Sequence, residues 1–263
     1  MDILTHTLSG MAVGALVANQ INGSVYKKMG ILTAGTIAGA FPDIDVITMW
    51  SGFDGTFGRW FGLEWTGREA FGAKLWYSHH AFFHSLFAAV LFGLLLGCII
   101  ILSKLPIKSS TNFKSTLPYV IAFTGGYIIH ILEDMATPGG GWGGVAFWWP
   151  SKNYIGGLGE IWWWNNYDVF LIVTTVVLMN TALLFLGKKI RSLAKKTSLA
   201  VFVIGFALSV FQIKNRGFDF AYHKNKTPSS VCEQKSKEIQ KQILGNRTYN
   251  FMEWLDTQIP VPF

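Results

Sequence analysis

Charge is scarce in this chain. Asp, Glu, Lys and Arg make up 14% of its 263 residues, against the roughly 25% usual in soluble domains. About half of the residues (51%) are hydrophobic, so an ordinary soluble domain is excluded and a membrane protein is expected. Cysteine is nearly absent as well. Cys98 lies inside an apolar run and Cys232 stands alone far downstream, which leaves neither a disulfide framework nor a thiolate metal site. Also missing are a Walker loop, a dinucleotide-binding GxGxxG, an HExxH and a GxSxG, so the familiar nucleotide, zincin and serine-hydrolase routes are closed. No repeat or low-complexity segment stands out, and nothing basic precedes the first apolar run, so no cleavable leader is expected.

What is present is a series of long apolar windows. Six of them, 3–20, 29–50, 80–103, 115–136, 168–187 and 197–213, are long enough to cross about 30 Å of hydrocarbon as helix. If they alternate, the connections after the first, third and fifth face one side. These hold Lys27, Lys28, Lys104, Lys108, Lys114, Lys188, Lys189, Arg191, Lys195 and Lys196, without one acidic residue. The longer connections opposite hold only Arg59, Arg68, Lys74 and Lys152. The positive-inside bias therefore puts both termini outside the cytoplasm. Topology absorbs the net charge of +7, and no nucleic-acid partner is needed to explain it. The expected fold is all-α: a polytopic membrane bundle of about six helices over 1–213, then a small extramembrane tail, 214–263. The tail should form a short helix near 230–244, and its greasy end, TYNFMEWLDTQIPVPF, makes it a candidate lid.

Polar residues collect at one end of these windows. His6 begins the first, Asp43 and Asp45 close the second, His79, His80 and His84 open the third, His130 and Asp134 close the fourth, and Asp168 opens the fifth. Any one of these could be an interhelical hydrogen bond. Their coincidence in depth is how a bundle-core metal site is assembled, and ionisable groups at a membrane are costly enough to imply function. His130 and Asp134, like His80 and His84, are four apart and would share a helix face. Glu133 reads as lying on a different face and uninvolved. In FPDID the proline interrupts the helix, and an extended Asp43-Ile44-Asp45 would aim both carboxylates the same way. Imidazole with carboxylate suits a divalent metal, zinc first, with manganese or iron as alternatives. The donors exceed what one zinc takes, so one to three ions are expected, with surplus groups supporting the ligands.

Between the fourth and fifth windows lies TPGGGWGGVAFWWP, and Trp142, Trp148, Trp149, Trp162, Trp163 and Trp164 crowd this connection. It reads either as an aromatic belt at the headgroups or as the lining of a pocket for an amphiphilic substrate.

The order of these motifs, TH near the start, PDID, a His-x4-His-Ser element, His-x3-Asp, then TPxG and a Trp-Pro, resembles the YdjM-like family of LexA-regulated, inner-membrane-associated proteins proposed to be metal-dependent hydrolases. The likeness covers roughly residues 1–168. It implies a multi-pass inner (cytoplasmic) membrane enzyme whose metal ligands are His6, Asp43, Asp45, His79, His84, His130 and Asp134, with Asp45, His84, His130 and Asp134 as the catalytic set. His80, Ser85, Thr137 and Asp168 would contact substrate or support the ligands. Two positions depart from the family. His79-His80-Ala81 stands where His-Arg-Gly is usual, and Phe83 where Thr is often found. The missing Arg removes a phosphate contact and opens a question of register. Helical spacing favours His80 as the ligand, whereas the family pattern favours His79. An N-cap at Ser78 would free His79 to turn inward, leaving His80 in the arginine's place.

The function expected is hydrolysis of an ester, a phosphoester of a lipid or lipid-linked substrate, at the outer membrane face. Membrane and lipid are the partners in view, and no protein partner is legible. The rival is a metal-binding transport or sensing protein without hydrolytic activity. A conduit needs polar groups through the full depth, yet the inner half of the third window runs from Leu94 to Leu102 with only Gly97 and Cys98 interrupting aliphatic residues.

Overall fold

The computed structural model describes residues 1–104, 113–186, 190–221 and 227–259. Its long helices are α1 (Ile3–Gln20), α2 (Val25–Ala40), α3 (Leu86–Lys104), α4 (Phe113–Ala136), α5 (Tyr167–Leu184), α6 (Arg191–Lys214) and α7 (Ser229–Gln258). Four of them, α3 to α6, are each long and apolar enough to cross a membrane. A fifth span is made if α2 is joined to the 3-10 segment Pro42–Met49, bent 43° from it. The protein is an all-helical membrane bundle. The first expected window, α1, lies at its centre, packed against α2, α4, α5 and α6.

Glycine brings α1 and α2 together. A Cβ on Gly10 would fall 2.3 Å from the Gly35 carbonyl oxygen, and one on Gly39 would fall 2.2 Å from that of His6. Only glycine permits backbones to approach so closely, the device by which membrane helices associate without a hydrophobic driving force. Its spacing, Gly10-x3-Gly14 facing Gly35-x3-Gly39, sets His6 beside the end of α2.

Two expectations about local structure are corrected. Pro42 does end α2, but Asp43-Ile44-Asp45 is not extended: it continues as a 3-10 helix with the proline at its start, where a missing N–H costs nothing. The third span begins at Leu86 rather than His80. Ser85 caps it, its Oγ taking the Ala88 N–H at 3.0 Å, while Ser78 takes the Leu75 N–H instead. The segment before it is a series of turns with a 3-10 turn, Phe82–His84, so His80 and His84 share no helix face. The glycine-rich connection holds this segment: the Ala146 N–H donates to the His80 carbonyl and the Leu86 N–H to that of Phe147.

At the opposite end of the bundle, basic residues cap helix carbonyls. The Arg191 guanidinium donates to Ile21 O at the end of α1. Lys28, expected in a loop, is buried in the first turn of α2 with Nζ 3.5 Å from Leu184 O at the end of α5. A cation is favoured at a helix C-terminus. Lys108, Lys188 and Lys189 lie outside the described residues. The tail is more helical than expected: α7 runs past 244, broken only at Gly245 (φ 72°, ψ 157°). Its second half buries Tyr249 and Met252 against Tyr167 of α5.

Candidate metal centre

Asp134 is the hub. Three imidazole nitrogens surround its Oδ2: His130 Nε2 at 3.0 Å, His84 Nε2 at 3.3 Å and His80 Nε2 at 3.8 Å. Its Oδ1 lies 3.1 Å from His6 Nε2 and 2.8 Å from the Met1 amino nitrogen. The rings of His6 and His130 stack at 3.8 Å. The 3-10 turn of Pro42–Met49 places its two carboxylates on either side of His84, Asp45 Oδ2 at 3.0 Å from Nδ1 and Asp43 Oδ1 at 3.6 Å from Nε2. Four separate segments thus deliver these side chains, nearly all of them buried.

Hydrogen bonds behind the cluster determine what each ring offers. A carbonyl or carboxylate can only accept, so His130 Nδ1 donates to Gly39 O (2.7 Å), His79 Nδ1 to Asp45 Oδ1 (2.7 Å) and His6 Nδ1 to Glu133 Oε2 (2.7 Å). In the neutral ring each of these leaves Nε2 as a bare lone pair, the form that binds metal. His80 is arranged the other way round. The Trp142 indole N–H, which can only donate, lies 2.7 Å from His80 Nδ1, and the Gly144 carbonyl, which can only accept, lies 3.1 Å from the same nitrogen; the two make opposite demands on Nδ1, and the shorter contact, that of Trp142, favours the neutral ring with its proton on Nε2. His80 also holds φ 63°, a left-handed conformation uncommon outside glycine and seen at constrained functional positions. Burial, then the neighbouring His79 and His84, push its pKa well below the usual imidazole value. His84 goes well above that value: burial alone would lower it, but Asp45, with Asp134 and Asp43, outweighs the burial.

The residues fit a divalent cation. Among the described residues, His6 Nε2, His84 Nδ1, Asp45 Oδ2 and Asp134 Oδ2 are buried without a directed hydrogen bond, although each faces a group of opposite kind within 3.0–3.3 Å. Lone pairs converging without protons to share are what a metal ion satisfies. Three donor sets have their ligand atoms within 4.8 Å of one another: Asp43, His84, His130 and Asp134; Asp43, Asp45 and His79; His79, His80 and His84. A cavity of about 440 Å³ opens onto them, walled by Phe71, Trp142, Trp163 and Trp164.

Three of the predicted residues stand elsewhere. Asp168 pairs with Arg216 at 2.9 Å, both buried, and its backbone N–H donates to Gln240 of α7; this ties the tail to α5. Ser85 is the cap of α3, and Thr137 hydroxyl closes the last turn of α4 on Asp134 O. Glu133, read as uninvolved, orients His6 and accepts from Ser9 at 2.5 Å. Its i,i+3 spacing from His130 was the available signal, since residues three apart are neighbours on a helix. Trp142 had been legible only as one of the tryptophans of an aromatic connection, and the Gly39 carbonyl had no sequence signal.

The family model described as YdjM inner membrane protein matches residues 1–217. No curated protein and no solved structure matches the chain.

Proposed function

The chain belongs to the YdjM inner membrane protein family, and on that premise we propose that it is a membrane-bound metal-dependent hydrolase acting on a phosphoester of a lipid or lipid-linked substrate. The observation that carries this reading is the sharing of donors: Asp43, His79 and His84 each belong to two of the three ligand sets. Such sharing would suit two ions, one that Asp43, His84, His130 and Asp134 would hold and a second that Asp43, Asp45 and His79 would hold. Zinc is the leading candidate, with manganese or iron next. Bound there, a divalent ion supplies water acidified to a pKa near 7 and a charge that polarises a phosphoryl oxygen.

The protein's own groups complete the arrangement. His80 turns its Nε2–H toward the cluster and serves as a hydrogen-bond donor to a phosphoryl oxygen, the task of the arginine it replaces. The tryptophan and phenylalanine wall suits the apolar shoulder of an amphiphilic ester and keeps bulk water out.

The test uses detergent-purified protein, metal analysis, and phosphomonoester, phosphodiester and carboxylester substrates with and without chelator. Expected are stoichiometric divalent metal and chelator-sensitive phosphoester cleavage, both lost in Asp134→Asn. Metal retained with no hydrolysis of any class would favour the transport or sensing alternative, and absence of metal would sink both.

A further inference from the structure

Residues 50–61 leave the metal-centre end of the bundle with aromatic side chains turned outward. Trp60 and Phe61 are 69% and 71% exposed, and Trp50 is exposed with them. The rings form one patch: Phe57 meets Trp50 at 6.4 Å, Trp60 at 5.7 Å and Phe61, stacked, at 6.5 Å between centroids. Phe53 turns the other way and is buried. The short helix Gly67–Gly72 clamps it, since a Cβ on Gly67 would fall 2.8 Å from the Phe53 ring and 2.0 Å from Thr48 O. The patch is thereby fixed to the 3-10 segment that carries Asp43 and Asp45. Exposed apolar surface on this scale marks a site of interaction.

Three observations point to hydrocarbon as its cover. The first is length. α2 has 16 residues, about 24 Å of helix, which stops short of a hydrocarbon core of about 30 Å. The eight residues of Pro42–Met49 add about 16 Å of 3-10 helix at 43° to α2, enough to complete the crossing, so the chain reaches the membrane boundary near Trp50. The second is continuity. Asp43 and Asp45 turn inward to His84, whereas Ile44, Val46, Ile47 and Met49 are exposed and lead directly into Trp50. The third is the backbone. Irregular chain at membrane depth persists only where its polar groups are paired. Here the Phe53 N–H donates to Trp50 O and the Gly58 N–H to Phe53 O, both at 2.9 Å, and the Leu63 N–H donates to Gly58 O at 2.8 Å.

Charge agrees with this placement. Residues 46–63 hold only Asp54 and Arg59. Asp54 accepts from the Gly67 N–H at 2.6 Å, and Arg59 is long enough to reach headgroups from below. Past Gly62, left-handed at φ 60°, exposed Glu64, Arg68 and Glu69 return the chain to water. We propose that residues 50–61 lie in the boundary of this protein's own bilayer on the metal-centre side, with Trp50 at the headgroups and Trp60 and Phe61 among the acyl chains. Mixed charge around the patch selects no anionic lipid, so a zwitterionic leaflet suffices. The inserted turn sets the depth of the carboxylates behind it. This goes beyond the hydrolase reading and holds whether or not the centre turns over an ester.

The experiment places a nitroxide at Trp60→Cys or at Phe61→Cys, in the full chain with Cys98→Ala and Cys232→Ala, so each variant keeps the other ring and one serves if the other fails to fold by size-exclusion elution. The protein sits in phosphatidylcholine nanodiscs, one chain per disc. Collisions with oxygen, which concentrates in hydrocarbon, are compared with collisions with a water-soluble nickel chelate. Labels at Val203, exposed on α6, and at Lys152, exposed in the connection before α5, give the hydrocarbon and water references. Expected is oxygen access with nickel exclusion at both ring positions, as at 203 and opposite to 152. Nickel access at either position would put the patch in water and overturn the proposal. Exclusion of both reagents at either position would mean that protein covers the rings, and would overturn it equally.

Discussion

His79 gives its Nδ1 proton to Asp45, whereas His80 accepts at Nδ1 from Trp142, so two adjacent imidazoles present opposite chemistry to one cluster. His79→Ala should therefore cost metal occupancy. His80→Ala should leave the metal in place and weaken turnover, and Trp142→Phe should do the same more mildly by freeing the His80 tautomer. Metal analysis beside a turnover assay separates the three variants, and loss of metal in His80→Ala would contradict the assignment. Glu133→Gln tests the support behind His6. It should lower metal affinity by roughly 10–100-fold without removing a ligand, read by titration calorimetry. Acidity acts on the same groups, since ligation needs neutral imidazole. Because the carboxylates around His84 hold its imidazole well above the usual value, protons compete with the ion already on the alkaline side of neutrality, so occupancy should fall steadily as the pH is lowered through neutrality, and a pH-independent affinity would argue against histidine ligation.

At the scale of elements, the centre depends on a crossing of two helices. The glycine faces of α1 and α2 put His6 next to Gly39, whose carbonyl orients His130; anything that parts these helices parts the ligands. Gly39→Ala should destabilise the protein by about 1–3 kcal/mol through overpacking and lower metal occupancy together with melting temperature. Gly55→Ala, where an added Cβ meets nothing within 4 Å, should change neither. Helix ends show how far local sequence reaches. The spans themselves were legible because an apolar run of membrane length has few alternatives. The start of α3 was not, because Ser78 and Ser85 are equally good caps by type, and the choice was made by the 137–166 connection pairing with the His80 and Leu86 backbones.

For the whole molecule, the charge asymmetry of the loops makes a topological prediction. Cysteines at Lys27 and Lys195, in a chain cleared of Cys98 and Cys232, should be shielded from an impermeant maleimide in intact cells, while cysteines at Trp65 and Ser151 should react. Reaction at Lys27 with protection at Ser151 would move the metal centre to the cytoplasmic face. The structure bears on this indirectly. Lys28 and Arg191, counted as loop charges, cap helix carbonyls in the bundle, which leaves fewer residues to answer to topology alone.

Composition and periodicity by themselves determined a helical membrane bundle and the end of it at which imidazoles and carboxylates gather, because burying charge in hydrocarbon is costly wherever the chain folds. Tertiary structure alone decided which of those groups meet. Asp168 sits at the same depth as the cluster yet pairs with Arg216, while Glu133 joins His6. Depth is a property of one segment and its length. Rotation about the helix axis, and the identity of the neighbour it turns a side chain toward, come from the packing of segments distant in sequence, and so does the proton position on every ring.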